Sequence, residues 1–167
     1  MIDFSLKGKT ALITGASRGI GEAIAVTLAD YDAQCILVSR KIDALRAVAE
    51  KIRGNGGKAE AIASHMGYLE QIEALFKEVQ DRFGKLDILI NNAATNPYFG
   101  DMLNADEGIW DKTNEVNLKG PFFMIQGAAR LMIEGGGGAI VNVASVNGVR
   151  PAPVSYTHLT LPTILLV

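Results

Sequence analysis

Apolar positions along the chain follow two alternating rhythms. Short, largely unbroken apolar runs rich in β-branched residues stand at TALIT (10–14), CILVS (35–39), AEAIAS (59–64), LDILIN (86–91) and AIVNVA (139–144). Between them, apolar residues recur every three or four positions: Ile20/Ile24/Leu28, Leu45/Val48/Ile52, Leu69/Ile72/Phe76/Val79/Phe83 and Leu118/Phe122/Ile125/Ala129/Met132. The runs are short enough to be strands buried on both faces, and each stripe predicts a helix that packs by one side. Their alternation predicts an α/β domain: a parallel sheet covered on both faces by helices, in three layers. Glycines mark the turns at GNGG (54–57), Gly84 and GGGG (135–138), while Gly120 and Pro121 are expected to perturb the last stripe.

The join between the first run and the first stripe changes this from architecture to chemistry. TGASRGIG (14–21) places glycines at 15, 19 and 21 directly after a predicted strand and at the opening of a predicted helix. Glycine there permits a tight turn, close approach of backbone to a pyrophosphate and contact of helix with sheet, and the helix N-terminus offers unpaired N–H groups to anionic oxygen. The same glycines could form a purely structural turn, but the strand–loop–helix context is that of a dinucleotide site. The fold expected is therefore a Rossmann-type doubly wound parallel sheet.

Discrimination between the two nicotinamide dinucleotides resides at the end of the second strand, where a carboxylate bonds a ribose 2′-hydroxyl and repels a 2′-phosphate. The sequence there is Ser39-Arg40-Lys41, with no acid. Arg40, with Arg18 from the glycine loop, can clamp a 2′-phosphate by charge-assisted hydrogen bonds, which points to NADP(H).

Composition narrows the partners. The 167 residues suit one domain, and a formal net charge of −2 with dispersed lysines and arginines gives no footprint for nucleic acid or an anionic membrane. Cys35, the one cysteine, excludes an internal disulfide and lies inside an apolar run, where a core role is expected. His65 and His158 lack ligand spacing, so no metal site is expected. Without an apolar leader or an unbroken apolar run approaching the ~20 residues of a membrane helix, a cytoplasmic protein with a small-molecule partner is expected.

With TGASRGIG (14–21), INNAA (90–94), VNLKG (116–120) and IVNVAS (140–145) in that order, the chain resembles the short-chain dehydrogenase/reductase family over about residues 5 to 153. NNAATNPYFG (91–100) and WDKT (110–113) are similar to its NADP-dependent carbonyl and retinal reductase branch, and less closely to 3-oxoacyl-carrier-protein reductases. The resemblance implies that Gly15, Ser17, Arg18, Gly19, Ile20 and Gly21 hold the pyrophosphate, and that Asn91, Ala93 and their neighbours close over the adenosine half and support the central strands. It implies further that Asn117 holds a proton-relay water and that Ser145 hydrogen-bonds a substrate carbonyl, for interconversion of a carbonyl and an alcohol by hydride transfer. A homotetramer is implied for a full-length relative.

The chain also departs from the family. His65-Met66 stand where most members carry Asp-Val against adenine, and Ala94 replaces a glycine. The proton-donating tyrosine is expected at position 158, with a lysine four residues later. Position 158 is His, Tyr156 is followed four residues on by Thr160, and no lysine follows Lys119. From about Val154 the pattern breaks, and VSYTHLTLPT (154–163) resembles a translated sequencing adapter. The expectation is an incomplete NADP(H)-binding domain over 1–153, truncated after its fifth strand, and a tail outside the family pattern over 154–167. The natural protein is expected to continue past 153 to a complete site, whereas the chain as it stands is expected to be inactive and poorly soluble. A cofactor-binding module without turnover, a fragment that binds nothing, and a real but divergent C-terminus are the alternatives.

Overall fold

A computed structural model describes residues 4–146. Five strands alternate with helices: β1 (Thr10–Thr14), α1 (Gly19–Asp30), β2 (Gln34–Ser39), α2 (Ile42–Gly54), β3 (Lys58–Ala63), α3 (Leu69–Phe83) and β4 (Ile88–Asn91). A 3₁₀ turn (Met102–Asn104), α4 (Glu107–Asn114), a π-helical turn (Glu115–Lys119), α5 (Gly120–Glu134) and β5 (Ala139–Asn142) complete the order. All strand pairs are parallel, in the order β3-β2-β1-β4-β5. The chain winds outward from β1 to β3 and then resumes on the other side of β1 with β4. That reversal is the place where an α/β sheet opens a crevice beyond its strand ends.

Residues on the two faces of β1 to β4 feed two separate cores. Ala11, Ile13, Cys35, Leu37 and Ala59 face α1 and α2, meeting Ala25, Ala29, Leu45, Val48 and Ile52. Leu12, Ile36, Val38, Ile62 and Leu89 face α3 and α5, meeting Ile72, Phe76, Val79, Met124 and Ala128. Each large aliphatic side chain removed from water in this way contributes roughly 1.5–3 kcal/mol. Cys35 is wholly buried, and burial pushes its thiol up to about 12, so it belongs to the core as its apolar setting suggested.

Three expectations are corrected. Ile20 is 63% exposed, whereas Ile24 and Leu28 of the same stripe pack partly buried on the core beside the buried Gly21, Ala25 and Ala29. These small residues let the helix lie close on the sheet, which turns the bulkier Ile20 outward. On α5 the buried face is Gly120, Met124, Ala128 and Met132, leaving Phe122 60% exposed, and Leu118 in the turn before it is 68% exposed. The perturbation expected around Gly120-Pro121 is the π turn just before them, one extra residue per turn that rotates the next helix face. Finally, β5 is largely exposed rather than buried. Among the described residues it stands at the sheet edge, and Ile140 packs against the core shared with α3 and α5.

At the opposite, N-terminal end of the sheet, the Asp87 carboxylate accepts from the Thr10 backbone N–H at 2.8 Å and pairs with Lys9 at 3.1 Å and Lys85 at 3.0 Å. Burial alone raises its pKa, but these hydrogen bonds outweigh it and hold the carboxyl below its ordinary value.

Candidate dinucleotide site

The C-terminal ends of β1, β2, β3 and β4 open into a cleft of about 690 Å³. Its floor is the glycine loop. Gly15 has φ +67°, and a Cβ there would come within 2.8 Å of Asn92 Nδ2. Gly21 is buried where a Cβ would collide with the Gly15 carbonyl oxygen. Gly19, at φ +60°, has nothing within 4 Å of the Cβ position, so its missing side chain leaves the mouth of the helix open. Arg18 is the N-cap of α1 and makes no side-chain cap, which leaves the first-turn N–H groups directed at the cleft.

Thr14 and Asn92 lock this loop to the neighbouring strand. Thr14 Oγ1 donates to the Ile90 carbonyl at 3.2 Å and accepts from the backbone N–H groups of Asn92 and Ala93, both at 2.9 Å. Asn92 Nδ2 donates to the Thr14 carbonyl at 2.9 Å and the Gly15 carbonyl at 3.3 Å. Neither residue was singled out from sequence, because their partners lie far along the chain.

Asn91 turns away from the cleft. It is buried in the sheet with Nδ2 donating to Asn142 Oδ1 at 2.9 Å, joining β4 to β5, while Ala93, Ala94 and Thr95 line the cleft. Of the two parts expected of this segment, Asn91 takes the strand-supporting one and is not among the residues that line the cleft, and the backbone leaving β4 swings over the cleft from Asn92 onward.

At the end of β2, Ser39, Arg40 and Lys41 all line the cleft. Ser39 Oγ is buried without a hydrogen-bond partner among the described residues. A buried hydroxyl left so costs free energy, and a ribose hydroxyl or phosphate oxygen would satisfy it. Arg18 and Arg40 are both exposed. At the end of β3, Met66 is buried against the cleft and His65 stands at its rim. Burial, with the charges of Lys112 and Arg40, holds the His65 imidazole below its usual pKa against the opposing pull of Glu115.

Asn117 lies in the π turn, with its side chain bonded to the Thr95 backbone. Ser145 follows β5 and is exposed, and neither it nor Asn117 is part of the cleft wall. Positions 156 and 158 fall outside the described residues. No cluster of three metal-ligating side chains and no helix long and apolar enough to cross a membrane occurs among the described residues.

An uncapped helix N-terminus, an open glycine, an unpartnered hydroxyl at the β2 end and two arginines are groups that bind phosphate and ribose oxygens, and the strand order is that of the doubly wound α/β class. The chain belongs to the short chain dehydrogenase family, whose sequence profile matches residues 9–157. It is 36% identical over 161 residues to human dehydrogenase/reductase SDR family member 4, covering 96% of this chain and 58% of that protein. Among solved structures it resembles a metagenomic short-chain oxidoreductase in complex with NADP, with a TM-score of 0.87, 36% identity and coverage of 91% of this chain and 69% of that one. It also resembles L-sorbose reductase from Gluconobacter frateurii complexed with NADPH and L-sorbose, with a TM-score of 0.89, 32% identity and coverage of 93% and 59%. The chain thus spans little more than half the length of the curated relative.

Proposed function

We propose that the protein is an NADP(H)-dependent oxidoreductase that interconverts a carbonyl and an alcohol by hydride transfer, the described residues supplying its cofactor half. The observation that carries the reading is the β2 end, where the unpartnered Ser39 hydroxyl and Arg40 stand in the cleft with Arg18, without the carboxylate that would repel a 2′-phosphate. Cofactor binding to the glycine loop is further supported by the relatives solved with NADP and NADPH.

When bound, the nicotinamide supplies or accepts the hydride. The residues of this chain bind and orient. Backbone N–H groups at Gly19–Gly21 meet the pyrophosphate, Arg18 and Arg40 meet the 2′-phosphate, and Ser39 Oγ bonds a ribose or phosphate oxygen. The Ser145 hydroxyl donates to a carbonyl oxygen as negative charge develops on it. Asn117 keeps the role the resemblance gives it, beside a relay water. A homotetramer and a cytoplasmic setting belong to the same reading.

The test is titration of the purified protein with NADPH and NADH, followed by the same titrations on Arg40→Asp. NADPH should bind more tightly, and the substitution should reverse the preference. Unchanged selectivity would remove the clamp.

A second reading, a cofactor-binding module without turnover, is favoured by one observation: neither Tyr156 nor His158 has a lysine four residues later. For the 167-residue chain it predicts NADPH binding with no oxidation of cofactor across a panel of aldehydes and ketones.

A further inference from the structure

Thr95 joins the cleft wall to Asn117, and the function above gives it no part. Its N–H donates to Asn117 Oδ1 at 2.7 Å and its carbonyl accepts from Asn117 Nδ2 at 2.8 Å, so one side chain fixes both of its main-chain polar groups. A threonine is stiff at its first side-chain torsion, and holding the backbone on which it turns leaves the hydroxyl few positions. Thr95 is half-buried and lines the cleft. Its hydroxyl makes no hydrogen bond among the described residues and is left for whatever fills the cleft.

The order of the strands says which part of a dinucleotide that is. Along the C-terminal edge of the sheet the ends run β2, β1, β4, with β5 beyond. The pyrophosphate, the centre of a dinucleotide, belongs to the β1–α1 loop, and the ribose that carries the 2′-phosphate belongs to Ser39 and Arg40 at the β2 end. The second ribose therefore lies across β1, on the side of β4. The ends of β2 and β4 are two strand spacings apart, about 10 Å, which a pyrophosphate with its two methylene arms spans. Thr95 is in the segment leaving β4, against the asparagine assigned to the reacting end. A ribose offers adjacent hydroxyls, each both donor and acceptor, and a threonine hydroxyl can pair with either.

We propose that the Thr95 hydroxyl is a cofactor-binding group for the ribose of the nicotinamide half. The inference rests on the NADP(H) reading of the cleft. The grip of Asn117 on the Thr95 backbone orders the contact before the cofactor arrives, which lowers what binding must spend on ordering it.

The experiment is calorimetric titration of the whole chain, unaltered and as Thr95→Val and Thr95→Ser. The probes are NADPH, 2′-phospho-ADP-ribose, which keeps the second ribose without the nicotinamide, and adenosine 2′,5′-bisphosphate, which has neither. Valine copies the shape of threonine without its hydroxyl, and serine keeps the hydroxyl. Thr95→Val should weaken NADPH and 2′-phospho-ADP-ribose by about two- to tenfold, the range of a single hydrogen bond, and leave the bisphosphate unchanged. Thr95→Ser should bind all three as the parent does. Equal loss of all three probes in Thr95→Val, loss of NADPH alone, no loss, or the same loss in Thr95→Ser overturns the ribose contact and leaves the nucleotide site standing. Failure of the unaltered protein to bind NADPH overturns the nucleotide reading, and this inference with it.

Discussion

Asn117 grips the backbone of Thr95 from both sides: its Oδ1 accepts from the Thr95 N–H at 2.7 Å and its Nδ2 donates to the Thr95 carbonyl at 2.8 Å. One side chain in the π turn thereby satisfies a full peptide edge of the loop that walls the cleft. The grip ties the segment leaving β4 to the start of α5, and an amide side chain is what such a donor-plus-acceptor contact requires.

Replacing Asn117 with Ala should therefore loosen the cleft wall more than the fold. Each lost hydrogen bond has a net worth of about 0.5–1.5 kcal/mol, so the melting temperature should fall by a few degrees while NADPH affinity drops several-fold. Asn117→Asp keeps the acceptor, loses the donor and should fall between. Thermal melts run beside cofactor titrations check this, and equal affinity for all three proteins would show that the wall does not need the grip.

Two glycines of the loop should fail differently. Gly21→Ala forces a methyl against the Gly15 carbonyl, in a position with no room to relax, and should destabilise the fold as well as abolish binding. Gly19→Ala meets no neighbour within 4 Å but imposes φ +60° on an L-residue, a strain of about 1–2 kcal/mol. Its methyl would project into the space assigned to the pyrophosphate, so binding should suffer out of proportion to stability. Denaturant midpoints and cofactor dissociation constants separate the two cases, and a Gly19→Ala protein that binds normally would place the pyrophosphate elsewhere.

Asp87 should make the fold acid-sensitive. Its folded-state pKa is depressed below the unfolded value of about 3.9, so its stabilisation is fully present above that value and is lost as pH falls through the folded pKa. Urea midpoints should drop steeply below about pH 4. Asp87→Asn should be less stable than the parent at neutral pH and flatter in acid. Identical acid profiles would mean that other carboxylates carry the effect.

Cys35 should be chemically silent while the protein is folded. A thiol pushed up to about 12 and wholly buried is neither ionised nor accessible at neutral pH. Ellman's reagent should report no reaction at pH 8 until denaturant is added, whereupon the single thiol appears. Rapid labelling of the native protein would indicate that α1 opens from the sheet.

Much of this protein could be read from its linear pattern, because strand burial and glycine-loop geometry are local consequences of sequence. The five strand runs, the α2 and α3 stripes and the TGASRGIG loop all stand where periodicity and turn chemistry place them. What tertiary structure alone decided is where distant segments meet. The α1 face that packs was settled by close approach to the sheet, which selected Gly21, Ala25 and Ala29 over Ile20. The exposure of β5 goes with its place at the edge of the sheet among the described residues, invisible in a run as apolar as the others. Thr14 and Asn92, 78 residues apart, and His65 and Lys112, 47 apart, share hydrogen bonds only because a parallel sheet gathers its strand ends at one edge. Local spacing encodes each element's shape, whereas those pairings depend on crossovers whose geometry no short stretch of chain contains.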